Sequence, residues 1–85
     1  MGRRELFQEL KADPKHVRFD HLCRAAEAFG FRFRGGKGSH QVFVREGIPD
    51  LLNFQNVKGW AKPYQVKQLL KVIEKYNLLE DGDDA

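Results

Sequence analysis

The chain has 85 residues and a single cysteine, so it folds as one small domain with no intramolecular disulfide, and its three histidines keep no metal-ligand spacing with acids or with Cys23. A hydrophobic fraction of 41% suits a globular fold, but a core this small leaves little room for an enclosed cofactor pocket and directs any chemistry to an open surface. The net charge of +3 is uneven: Glu80, Asp81, Asp83 and Asp84 close the chain, and residues 1–79 carry fifteen basic against eight acidic side chains, a body of +7 suited to a polyanion or simply to solvation.

Leu6, Phe7 and Leu10 predict an amphipathic helix over Arg3 to Lys11, stopped ahead of Pro14. Residues 13–18 read as a polar connector. Asp20 is then a natural N-cap for a second helix, because its carboxylate can accept from the free amides of the first turn. Leu22, Cys23, Ala25, Ala26 and Phe29 form the buried stripe of that helix, and Gly30 suits the left-handed position that closes it.

The period then changes. Phe31-Arg32-Phe33-Arg34 alternates as a half-buried strand does, with both phenylalanines on one face and both arginines on the other. Gly35 to Gly38 reads as a flexible turn, and Gln41 to Arg45 as the returning strand of a hairpin. Glu46 to Asp50 breaks the pattern, Leu51 to Gln55 supplies a third strand, and residues 56–62 read as a polar loop. Pro63 sits in the first turn of a last helix, whose buried stripe is Val66, Leu69, Leu70 and Ile73. Lys67, Lys71 and Lys75 line another face of it, Leu78 and Leu79 cover the end of the core, and the acidic segment 80–85 is expected to be disordered.

The expected architecture is α+β: a core of helix, three antiparallel strands and helix over 19–79, the layout of double-stranded-RNA-binding domains, with an extra N-terminal helix and connector over 1–18. Helices should cover one sheet face and leave the other open. No stretch is long or apolar enough for a signal peptide or a membrane span, and Leu6 stands where a myristoylation signal needs Ser or Thr, so the chain reads as cytoplasmic.

Cys23 lies on an apolar helical stripe, as an inert buried thiol does, while His16 and His21 fall in polar surroundings. His40 differs. A glycine-rich turn precedes it, and Arg32, Arg34, Lys37 and Arg45 share its hairpin with one acid, Glu46. An imidazole exchanges protons near neutral pH and can take one from a ribose 2′-hydroxyl, while cations hold the phosphate and Ser39 bonds it or orients the ring. Cleavage of RNA by its own 2′-oxygen needs neither a protein nucleophile nor a metal. The competing reading is structural: His40 shares a strand face with Val42 and Val44, and if the valines face the core, so does the imidazole.

Helix two ending in Phe29-Gly30-Phe31, followed by Arg34-Gly35-Gly36-Lys37-Gly38-Ser39-His40-Gln41-Val42-Phe43, resembles the HicA-type toxins of bacterial toxin–antitoxin pairs. Leu51 to Gln55 and Ala61 to Leu70 continue the resemblance, which spans about Phe19 to Leu79. It implies an mRNA interferase: a metal- and cofactor-independent endoribonuclease with His40 as catalytic residue, neutralised by a HicB-like antitoxin. Gly38, Ser39, Lys37, Arg34 and Arg45 are the candidate RNA contacts. The chain departs from the family where many members carry a second histidine on the third strand and a Gly-Thr pair opening the last helix. Asn53-Phe54-Gln55 and Lys62-Pro63-Tyr64 stand there, leaving Lys37, Lys62, Tyr64 or His40 itself for the second proton transfer. Trp60 either stacks on a base or caps the core. The alternatives to a toxin are a non-catalytic RNA-binding module and a protein-interaction domain whose open sheet edge pairs with a partner.

Overall fold

A computed structural model describes residues 2–79, so the expectation for the acidic segment 80–85 lies outside the described residues. The order is α1 (Arg3–Ala12), α2 (Phe19–Ala28), β1 (Arg32–Lys37), β2 (His40–Arg45), β3 (Ile48–Val57), β4 (Trp60–Ala61) and α3 (Pro63–Lys75). The strands form one antiparallel sheet in the order β1-β2-β3-β4. The α+β class is as expected, with four strands in place of three.

Helix α1 opens with the Gly2 amide donating to the Glu5 carboxylate at 3.1 Å, and buries Leu6, Phe7 and Leu10. Helix α2 starts earlier than expected. Arg18, not Asp20, holds the N-cap position, and Asp20 lies in the first turn, exposed and 3.4 Å from Arg24. The reason is the sheet. The segment just before α2 runs along the outer edge of β4, with Ala61 N–H donating to the Val17 carbonyl and Phe19 N–H to the Gly59 carbonyl, each at 2.9 Å. Those bonds, with the burial of Phe19, fix where the helix begins. At its other end Gly30 takes φ 91°, and the Phe31 amide reaches back to the Ala26 carbonyl at 3.0 Å, closing the helix as anticipated.

The glycine run is not a loose turn. Gly35 and Gly36 belong to β1, and Arg34 is the extra residue of a bulge between the Phe33–Phe43 and Gly35–Val42 pairs. The connection is only Gly38-Ser39, with Lys37 opposite His40 and Gly38 at φ 63°, as a two-residue hairpin with glycine first requires. Strand β3 extends beyond Leu51–Gln55 at both ends, and the stretch read as a polar loop holds a second tight hairpin. Lys58 and Gly59 there take φ 54° and 92°, both positive as the right-handed twist of two strands demands.

The core lies between the helices and one face of this sheet. Phe43, Leu52 and Phe54 point from β2 and β3 toward Leu22, Ala26 and Phe29 of α2 and toward Val66, Leu69 and Ile73 of α3; all of them are at most 1% exposed. Asn77 at φ 56° ends α3 and turns Leu78 onto the core, as expected of that residue. No helix of the described residues is long and apolar enough to cross a membrane.

Candidate nucleic-acid interface

Phe43 decides which way β2 faces. The largest side chain of the strand is buried, so Gln41, Phe43 and Arg45 point to the helices, and His40, Val42 and Val44 point to the opposite face. Gln41 lies 3.9 Å from the Cys23 sulfur of α2, which fixes the same assignment independently. The valines therefore do not carry His40 into the core. Its imidazole is exposed, and no hydrogen bond or ion pair ties it to another described residue.

On that open face the cross-strand neighbours of His40 are Lys37 of β1 and Gln55 of β3. One rung along, Val42 lies between Gly35 and Asn53. Directly opposite residues of an antiparallel pair stand roughly 5 Å apart, which brings the Lys37 ammonium within reach of any phosphate that the imidazole touches. Ser39 is held by backbone: its carbonyl accepts the Asn56 amide at 2.9 Å, which ties the Gly38-Ser39 turn to β3. Gln65, the one buried polar side chain of the described residues, continues the ladder where β4 ends. Its Oε1 accepts the Gln55 amide at 2.7 Å, so the N-terminus of α3 supports the strand beside His40.

The candidate contacts do not all gather here. Lys37, Gly38 and Ser39 flank His40, and Arg34 lies farther along β1 on the same face, with Arg32. Arg45 points the other way, and its Nη1 donates to the Phe29 carbonyl at 2.9 Å, a pin between β2 and the end of α2. Of the groups considered for a second proton transfer, the Lys62 ammonium sits 5.8 Å from the centre of the Tyr64 ring at the start of α3. Trp60 is half exposed and paired with Val57, and the Arg18 guanidinium stacks 4.7 Å from its ring centre. Lys67, Lys71 and Lys75 are exposed on α3, away from the open sheet face. Cys23, expected to be buried, is half-buried at the edge of the core, and burial first, then Glu27 and Asp20, push its thiol up to about 11.

Sequence reasoning missed how far the acids keep from the open sheet face. Of the acids in the described residues, Glu5, Glu9, Asp13, Asp20, Glu27 and Glu74 lie on helices or the α1–α2 connector, and Asp50 turns toward Tyr76 of α3. The open face of β1 and β2 carries Arg32, Arg34, Lys37 and His40, with only Glu46 at its rim. A small antiparallel sheet with helices on one face and an acid-poor basic surface around an exposed imidazole on the other defines the chain as an α+β domain with one open, basic sheet face. No family model, curated protein or solved structure matches the chain.

Proposed function

We propose that the chain is the toxin of a toxin–antitoxin pair, a HicA-like mRNA interferase that cleaves RNA on the open face of its sheet. The observation that supports this reading best is His40, exposed and flanked by Lys37 on a basic surface, at the position the family resemblance assigns to catalysis. His40 takes the proton of a ribose 2′-hydroxyl, and the 2′-oxygen attacks the adjacent phosphorus. The bond from phosphorus to the 5′-oxygen breaks, and that oxygen takes a proton from the imidazolium or from the Lys37 ammonium. The products are a 2′,3′-cyclic phosphate and a free 5′-hydroxyl. No metal or cofactor enters these steps. An acidic HicB-like antitoxin that covers the open face would compete directly with RNA.

One observation favours a second reading. The other polar neighbours of His40 and Val42 are Gln55 and Asn53, amides that transfer no protons. That is the surface of a non-catalytic RNA-binding module. Inducible expression of wild type and His40→Ala, with mRNA integrity followed in each, separates the two. For the toxin, wild type arrests growth and degrades mRNA, and His40→Ala loses about 10²–10⁴-fold of the cleavage rate. His40→Ala should melt as wild type does, because the imidazole has no partner to lose. RNA affinity without cleavage in either protein leaves the binding module, and equal cleavage by both removes His40 from the mechanism.

A further inference from the structure

We propose that Arg32 and Arg34 form a second phosphate subsite, which holds single-stranded RNA two to three nucleotides away from the bond at His40. This rests on the reading of the open face as an RNA surface, and it assigns a place on that face to the strand beyond the reacting nucleotide.

Alternation puts Arg32 and Arg34 on one face of β1, and the bulge at Arg34 leaves that residue without a cross-strand partner, so the two arginines line one shallow groove together with Val44, Leu51 and Glu46. Neither arginine has an ion pair with another described residue, so both guanidiniums are available for bidentate bonds to phosphate oxygens. Arg45 also borders the groove, but its Nη1 is engaged with the Phe29 carbonyl, so it braces the wall. Glu46 is the one carboxylate at the rim, and it repels a phosphate from the β2–β3 turn toward the two arginines.

Spacing and relief set the path. Arg32 pairs with Val44, four residues along β2 from His40, a separation of about 13 Å at the usual strand rise. An extended single strand covers that span in about two to three nucleotides. Between the two points the face is low, because Gly35 stands opposite Val42 and has no side chain to obstruct the chain's passage. Leu51, half exposed, and Val44 offer an apolar floor for a ribose or base edge beside the arginines.

The test uses the full chain and 2′-O-methyl oligouridylates, which bind but cannot be cleaved by their own 2′-oxygen. Affinity is measured by fluorescence anisotropy for lengths of three to eight nucleotides at several salt concentrations. Wild type should gain at least about tenfold as the strand grows from three nucleotides to long enough to reach both points. Arg32→Gln/Arg34→Gln should lose that gain, stay within twofold of wild type on the trimer, and reduce the slope of log affinity against log salt by about 1.4 for two lost phosphates. His40→Ala should keep the gain in full, so a failure of cleavage in the cell leaves this result standing. Equal weakening of the double variant at every length overturns the subsite, as does no weakening at any length. If wild type binds no oligonucleotide, the RNA reading falls and the subsite with it.

Discussion

Gly36 faces the backbone of β2 so closely that a Cβ there would run into the His40 carbonyl oxygen and stand 2.9 Å from the Gln41 Cα. Backbone atoms cannot swing aside as a lysine tip would, so the whole rung that carries His40 must shift. Gly36→Ala should therefore cost about 1–3 kcal/mol in a urea titration and should lower RNA cleavage beyond what partial unfolding explains. Gly38→Ala is the control. Its added methyl meets open space, and only the positive φ of 63° opposes it, at about 1–2 kcal/mol. A Gly36→Ala protein that keeps full stability and full cleavage would show that β2 tolerates the shift and that the position of His40 is not set from β1. The same residue explains one limit of the sequence. Glycines at 35 and 36 look like a turn because they are usual in turns, whereas here Gly36 lets two strands approach and Gly35 takes φ 146° beside the bulge, tertiary demands that local composition does not reveal.

Among the polar ties between elements, the clearest joins β3 to the end of α3. The Tyr76 hydroxyl donates to the Asp50 carboxylate at 2.6 Å, and the Lys75 ammonium stands 3.5 Å from the same group. The Tyr76 bond, then Lys75, hold Asp50 below its ordinary 3.8, while the bond to Asp50 raises Tyr76 above its ordinary 10.0. Asp50 thus adds stability that is present above its ordinary value and lost as pH falls through its lowered one. Tyr76 adds stability that is present below its ordinary value and lost as pH rises through its raised one. Thermal melts of wild type and Tyr76→Phe should differ most between those limits and converge at acid pH, and an undiminished difference well below pH 3.8 would rule the linkage out. The three helices were legible as elements, since their apolar stripes recur at helical spacing and reach the core. Strand ends and β4 were not, because they depend on pairing with distant segments: Pro49 is tolerated in β3, and Trp60-Ala61 is a strand only because Val57 and Val17 lie on either side of it.

At the scale of the molecule, the helices and most of the acids lie toward one side of the sheet, the open face of β1 and β2 is basic, and the orientation of β2 decides on which side His40 falls. The sequence located that residue but did not orient it, since both faces of β2 are apolar: Val42 and Val44 on one, Phe43 on the other. Size resolves the tie. The Phe43 ring lies 5.5 Å from that of Phe54 in the closed layer beneath the helices, a volume two valines could not fill. Phe43→Ala should therefore cost about 3–5 kcal/mol, a large part of the total of about 5–10 kcal/mol that a chain of this size holds. Val42→Thr, on the open face, should change stability by less than about 1 kcal/mol. Urea midpoints of the two variants measure this directly. Comparable losses would mean that a second layer covers the face of His40, Val42 and Val44 in the folded protein, and an imidazole beneath such a layer could not reach an RNA strand. A large loss confined to Phe43→Ala leaves the imidazole facing solvent, where both the cleavage chemistry and the Arg32–Arg34 subsite need it.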